Sequence, residues 1–219
     1  MATATWSARR HTILIPLVFV FSLAGAIELS DRLMTYVRSE FGQEAHQRLQ
    51  DWQRLHQLAR NAPIDRQLRL VNSFFNRIPF VSDIQHWGEE DYWATPVELL
   101  TTNGGDCEDF SIAKYLTLRA MGVPDEELRI IYVKALELNQ AHMVLAWYKT
   151  PDADPLILDN LINDIRPASQ RTDLEPVYSF NGEGLWLNRS SGERSRIGDA
   201  QRLEHWQDLN RRLTESLRH

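Results

Sequence analysis

The sequence contains a single cysteine, Cys107, among its 219 residues. One cysteine cannot form an internal disulfide, which excludes the small exported proteins that are held together by disulfide bridges. Cys107 is therefore a free reactive thiol, a partner in an intermolecular bridge, or a small buried apolar residue.

Basic residues are in the minority: 24 Lys and Arg stand against 30 Asp and Glu, and the formal net charge is −6. A negative chain is repelled by phosphate backbones, so nucleic acid is not an expected partner. The sequence also lacks internal repeats and low-complexity linkers. Its 43% of hydrophobic residues and seven tryptophans are sufficient for one sizeable core, which predicts a single domain.

Long apolar runs are absent except near the N-terminus. There Arg9 and Arg10 precede an apolar run over residues 12–23, and the small residues 24–26 follow it. This order is typical of a secretory signal, and the run is shorter than the roughly 20 residues of a bilayer span. We predict a signal peptide over residues 1–26, with an uncleaved anchor as the alternative, and one domain over residues 27–219.

Helical patterns fill the first half of the remaining chain. Apolar residues recur at three- and four-residue steps over residues 30–61, and a second pattern begins at Asp65, the predicted N-cap, and ends at Ile78. An aromatic and acidic loop follows over residues 80–94, which either covers a cleft or is pinned by its own tryptophans. Residues 95–98 then have the form of a capping box with proline at the first helical position.

Strand patterns dominate the second half. Asn139 and residues 181–184 mark turns between apolar runs. Helices first and antiparallel strands afterwards predict an α+β fold. The predicted strands cover residues 128–136, 140–149, 156–159, 177–180 and 185–187, and a last helix covers residues 199–217.

Cys107 begins a predicted helix over residues 107–121, which Gly122 ends. Gly104 and Gly105 before it predict a tight turn. The unpaired N–H groups and the dipole of a helix N-terminus favour a thiolate, the nucleophilic form of cysteine.

The acidic residues Asp106, Glu108 and Asp109 flank Cys107 and act in the opposite direction. Their negative charge should raise the pKa of the thiol unless a cation neutralises them.

A nucleophilic cysteine needs a base and a third group that orients the base. His142 is the histidine that lies inside an apolar strand, where it is either that base or a core residue with a satisfied ring. Asp159 ends the next apolar strand, where it either pairs with a buried partner or caps the turn at Asn160. Adjacent strands would bring His142 and Asp159 to the start of the Cys107 helix.

Five short motifs strengthen this interpretation: residues 91–96 (DYWATP), 104–110 (GGDCEDF), 139–145 (NQAHMVL), 158–160 (LDN) and 178–182 (YSFNG). Together they resemble the bacterial transglutaminase-like cysteine proteinases. The resemblance implies a transglutaminase/papain-like core, in which N-terminal helices and a central nucleophile helix pack on an antiparallel sheet. It makes Cys107 the nucleophile, His142 the base and Asp159 its orienter.

The resemblance also implies a cofactor, since members of that family bind calcium through the acids that flank the cysteine. Asp106 and Glu108 match those positions, and Asp109 is a weaker candidate because an acid there already stabilises a helix N-terminus. Carboxylate oxygens suit Ca²⁺, and a divalent ion would cancel the negative charge beside the sulfur.

The implied function is that of a periplasmic endopeptidase. It would cleave the N-terminal retention module of a large surface adhesin at a dialanine site and so release cells from a biofilm. An inner-membrane receptor for cyclic di-GMP would inhibit it through a periplasmic domain. Two alternatives stay open: an acyl transferase or amidase of the transglutaminase type, and a catalytically idle, calcium-dependent binding module.

Overall fold

The computed structural model describes residues 29–188 and 194–216. The predicted signal peptide over residues 1–26 lies outside these residues. Within them, no helix combines the length and apolar character needed to cross a bilayer.

Helices occupy the first half of the described chain and its C-terminal end. Because many of their apolar residues repeat at helical spacing, each longer helix can bury one face. The helices are α1 (Asp31–Glu40), α2 (Gly42–Ala59), α3 (Ile64–Phe75), α4 (Asp83–His86), α5 (Pro96–Thr102), α6 (Cys107–Ala120) and α7 (Glu204–Ser216).

The strands of the described chain form one sheet, in the order β4-β3-β2-β1-β5-β6-β7, and all neighbouring pairs are antiparallel. The two longest strands form a hairpin whose turn contains Asn139 in the left-handed conformation, φ 49°. The predicted α+β class is confirmed. The strands are β1 (Leu128–Ala135), β2 (Gln140–Trp147), β3 (Leu156–Leu158), β4 (Arg166–Pro167), β5 (Leu174–Phe180), β6 (Leu185–Asn188) and β7 (Arg194–Gly198).

Helix α6 lies at the centre of the fold. It packs against β1 and β2 on one side and against α3 and α5 on the other. Ile112 and Leu118 are fully buried, and burying one such side chain stabilises the fold by about 1.5–3 kcal/mol. Even the polar Thr117 is buried, where its hydroxyl accepts a 2.9 Å hydrogen bond from the indole N–H of Trp52. The packed surroundings hold the N-terminus of α6, and with it Cys107, in a defined position.

Four predicted helix boundaries were wrong, and one of them is the end of the second helix, which lies at Phe75 and not at Ile78. The pattern over residues 30–61 is interrupted at Gly42, whose φ of +87° is a conformation that a continuous helix cannot contain. Asp65 is not an N-cap, because α3 begins at Ile64 and Asp65 instead pairs with Arg69 at 2.6 Å. Asp199 precedes α7 and accepts a 2.9 Å hydrogen bond from Gln201 N–H, which caps a short 3₁₀ turn rather than the helix.

Two strands were not predicted. β4 has only two residues, and β7 is a polar strand at the opposite edge of the sheet. Edge strands with few apolar residues give no strong alternating pattern, so only their pairing reveals them.

Candidate active site

The chain reaches Cys107 through a segment that has little free space. α5 begins with the predicted capping box, in which Thr95 accepts from Glu98 N–H and the Glu98 side chain accepts from Thr95 N–H. The left-handed residue after α5 is Asn103, φ 57°, and neither Gly104 nor Gly105 has positive φ. The predicted role of the glycines in a turn was therefore wrong. Gly105 instead permits the Asp109 side chain to approach the backbone closely, because a Cβ at position 105 would lie 2.5 Å from Asp109 Oδ2.

Gly105→Ala is expected to lower both stability and activity. The added methyl group would also lie 2.7 Å from Leu99 Cδ1, and overpacking of this kind costs about 1–3 kcal/mol. Urea unfolding of the variant measures the cost. Gly42→Ala is the matched control, because it meets no atom within 4 Å and changes only backbone strain away from the site. A Gly105→Ala protein with wild-type activity and no larger loss of stability than Gly42→Ala would contradict the expectation.

The Cys107 thiol lies in an environment that opposes its ionisation. Its Sγ donates a 3.0 Å hydrogen bond to Glu108 Oε2. Burial, followed by the charge of Glu108 and Asp106, raises the pKa of the thiol far above its ordinary value, and the backbone N–H of Met143 acts in the other direction. The conflict that the sequence predicted around Cys107 is present in the fold.

His142 and Asp159 come together through the sheet. Leu145 of β2 pairs with Leu158 of β3, so the residues that precede Leu145 lie near the end of β3. His142 Nε2 is 2.8 Å from Asp159 Oδ1, and both side chains are buried. Met143, whose backbone N–H interacts with the Cys107 sulfur, is the next residue after His142. All three predicted catalytic residues therefore converge where α6 begins.

Asp159 determines which nitrogen of His142 is available. Burial acts to raise the pKa of Asp159, but hydrogen bonds from His142, Leu161 and Arg171 outweigh it and lower the pKa to about 2. Because Asp159 is thus a carboxylate, we assign His142 Nε2 as the donor in their hydrogen bond. Nδ1 is then the nitrogen that remains to accept a proton.

Arg171 is a site residue that the sequence did not predict. It is 3% exposed, and its Nη2 donates a 2.7 Å hydrogen bond to Asp159 Oδ2. An arginine between Gln170 and Thr172 has no local pattern that indicates a buried partner. Only the approach of its segment to the end of β3 places it there.

Five acidic residues cluster beside Cys107. Their oxygens form overlapping groups in which ligand atoms lie within 4.8 Å of one another: Asp83, Asp106 and Asp109 form one, and Asp83, Asp91 and Glu108 another. Burial and repulsion between these carboxylates raise the pKa of Asp83 to about 6 and that of Glu108 to about 9. Such raised values indicate a site that is short of positive charge.

The cluster fits a hard divalent cation. Asp83 Oδ1 and Asp106 Oδ1 are buried and have no hydrogen-bond partner among the described residues. Both oxygens of Asp109, in contrast, accept backbone hydrogen bonds, from Ala94 at 2.7 Å and from Asp106 at 3.2 Å. Asp109 therefore has a structural use, and the residues best suited to hold the ion are Asp83, Asp91, Asp106 and Glu108.

The aromatic loop that supplies Asp83 and Asp91 is pinned by its own rings. Trp93 is buried and stacks on Phe180 at 5.5 Å, and Trp87 packs against Tyr92 at 4.6 Å. The pinning that was one of the two predicted roles for this loop is therefore present, and its other role, covering a cleft, stays a prediction. The sequence showed its acids but not that they face Glu108.

Comparisons with known proteins found one matching family and several similar structures. The family model described as bacterial transglutaminase-like cysteine proteinase BTLCP matches residues 31–180. Solved structures of Legionella pneumophila LapG, one EGTA-treated and one calcium-bound, are each 44% identical to this chain and have TM-scores of 0.74 and 0.72. The alignments cover 83% of this chain and 96% and 97% of those chains. A search of curated proteins gave no match.

Proposed function

Since the chain belongs to the bacterial transglutaminase-like cysteine proteinases, we propose that it is a calcium-dependent periplasmic endopeptidase with Cys107, His142 and Asp159 as its catalytic residues. The observation that carries the proposal is the buried His142–Asp159 pair, 2.8 Å apart, beside the N-terminus of the helix that Cys107 begins.

The proposed reaction uses these groups in order. His142 Nδ1 takes the proton of the Cys107 thiol, and the sulfur attacks the carbonyl carbon of the scissile peptide bond. The protonated His142 gives that proton to the leaving amine, and a thioester remains on Cys107. Water, from which the same ring takes a proton, then attacks the thioester carbon; the C–S bond breaks, and a carboxylic acid and the free Cys107 thiol are released. The Cys107 backbone N–H at the helix N-terminus is suited to stabilise the oxyanion.

Calcium would be held by Asp83, Asp91, Asp106 and Glu108. A bound divalent ion supplies positive charge that lowers the pKa of the adjacent thiol and satisfies the orphaned oxygens of Asp83 and Asp106. The same ligands would join the aromatic loop to the start of α6. The existence of a calcium-bound LapG structure supports this part of the proposal.

Family membership supports the proposed substrate, and the N-terminal sequence supports the proposed location. The substrate proposed is the N-terminal retention module of a large surface adhesin, cut at a dialanine site, with release of cells from a biofilm as the consequence. The signal-like pattern of residues 1–26 supports export to the periplasm. There, the periplasmic domain of an inner-membrane cyclic di-GMP receptor would act as the inhibitor.

Incubation with a purified adhesin N-terminus tests the proposal. Two fragments are expected in calcium, and mass spectrometry in the presence of a primary amine should find a free carboxylic acid at the new C-terminus. A substrate without the dialanine should stay intact, and the receptor domain should suppress cleavage. An amide product would instead indicate an acyl transferase, and binding without cleavage would indicate an idle binding module.

A further inference from the structure

Arg171 occupies a position that the proposed reaction leaves without a role. It lies just after a 3₁₀ turn, Ala168–Gln170, that follows β4. A guanidinium that is buried to this extent is costly unless it is paired, so its partners explain its place. Those partners are two carboxylates, Asp159 and Asp173.

The hydrogen bonds of Asp159 show what Arg171 contributes. Oδ1 accepts from His142 Nε2 at 2.8 Å and from Leu161 N–H at 2.9 Å. Oδ2 accepts from Arg171 Nη2 at 2.7 Å. Arg171 therefore fixes the rotation of the carboxylate, which determines the direction of Oδ1 towards His142.

Asp173 holds Arg171 in turn. Arg171 Nε and Nη2 bond the two oxygens of Asp173 at 2.9 and 2.7 Å, a bidentate pairing that sets the plane of the guanidinium. The Asp173 side chain is 28% exposed, so this end of the network lies near the surface. The result is a continuous chain of contacts from Asp173 through Arg171 and Asp159 to His142.

Titratable or charged groups reach Asp159 from several elements: His142 from β2, Lys114 from α6, and Arg171 and Asp173 from the segment after β4. Lys114 acts electrostatically, and burial lowers its pKa to about 7 against the opposing effect of Asp159. Burial also acts to lower the pKa of Arg171, but Asp173 and Asp159 raise it overall. Arg171 is therefore the permanent cation in contact with Asp159.

We propose that Arg171 is a positioning residue of the catalytic group, which orients the Asp159 carboxylate and, through it, the His142 ring. This inference rests on the proposed cysteine-protease function. In this proposal the Asp173–Arg171 pair keeps His142 Nδ1 directed at the Cys107 thiol. A merely structural pair would only hold the segment after β4 in place.

Arg171→Gln tests the proposal against Arg119→Gln as the matched control. Arg119 also pairs with a buried acid, Asp125, but at the far end of α6. Arg171→Gln should lower kcat at least about tenfold and leave KM within about twofold. The loss of kcat should stay below about 10⁴-fold, the loss expected when the function of the triad acid itself is removed. Arg171→Lys should recover part of kcat, because it retains the charge without the planar fork.

Two readouts do not depend on the substrate. In calcium, alkylation of Cys107 by iodoacetamide should be several-fold slower in Arg171→Gln than in the control, and the ¹⁵N shifts of His142 should show a changed tautomer population. If wild type fails to cleave the adhesin, the proposed function fails, but these two measurements still decide the role of Arg171.

The proposal would be overturned if folded Arg171→Gln had the kcat, the alkylation rate and the His142 shifts of wild type. It would also be overturned if the losses in Arg171→Gln were no larger than those in Arg119→Gln. If Arg171→Gln does not fold, Asp173→Asn decides, because it loosens Arg171 from a less buried position. A several-fold lower kcat with unchanged KM would then support the proposal, and an unchanged kcat would overturn it.

Discussion

Cys107→Ala is expected to abolish cleavage, with a loss on the order of 10⁴-fold or more, because the substitution removes the atom that forms the thioester. The fold should survive. Cys107 is the first residue of α6, and its replacement by alanine removes the hydrogen bond to Glu108 and the interaction with the Met143 N–H without inserting any bulk. A change of no more than about 1 kcal/mol in the free energy of unfolding is expected. Fragment yield and circular dichroism measure the two effects.

His142→Ala should cause a comparable loss, since the thiol then has no base. His56→Ala is the matched control, because His56 is also a buried histidine but lies on α2 and bonds the carbonyl of Ala120 at 3.0 Å. It should lose stability and keep activity. Cleavage by a folded Cys107→Ala protein, or an equal loss of activity in folded His56→Ala, would contradict the assignment of the catalytic residues.

Removal of calcium is expected to have the second-largest effect. A chelator should stop cleavage, added calcium should restore it, and magnesium should substitute poorly because it requires a tighter octahedral shell. Asp83→Asn and Asp106→Asn should each weaken calcium binding by more than about tenfold, since each supplies a buried oxygen that lacks another partner among the described residues. Calorimetric titration measures the affinity. Asp164→Asn, at an exposed acid outside the cluster, should bind calcium as wild type does.

The acid cluster also predicts a pH dependence of stability. In calcium-free protein, the folded-state pKa values of Asp83 (about 6) and Glu108 (about 9) lie above their ordinary values of 3.8 and 4.5. The folded state therefore binds more protons than the unfolded state, and this contribution to stability falls as the pH rises from about 4 to about 9. Calcium should raise the melting temperature most at the upper end of this range. Full activity in chelator, with no calcium-dependent shift in melting, would reject the metal site.

Several features of the fold could be predicted because they depend on neighbouring residues. The capping box at Thr95 and the helix that begins at Cys107 follow from short-range hydrogen bonding and backbone conformation. The alternating strands, and the left-handed Asn139 between two of them, follow equally from local preference. His142 and Asp159 were recognisable because each is a titratable residue in, or at the end of, an apolar strand, where burial requires a partner.

The tertiary structure alone decided which charges meet. The backbone N–H of Asp83 bonds Asp106 Oδ2 at 3.3 Å across 23 residues of sequence, and Arg171 bonds Asp159 across 12. Neither the segment around Asp83 nor the segment around Arg171 has an apolar periodicity or a turn signal that indicates its partner. Electrostatic contacts depend on distance in space and on burial, and both quantities are set only when α6 and the sheet have packed.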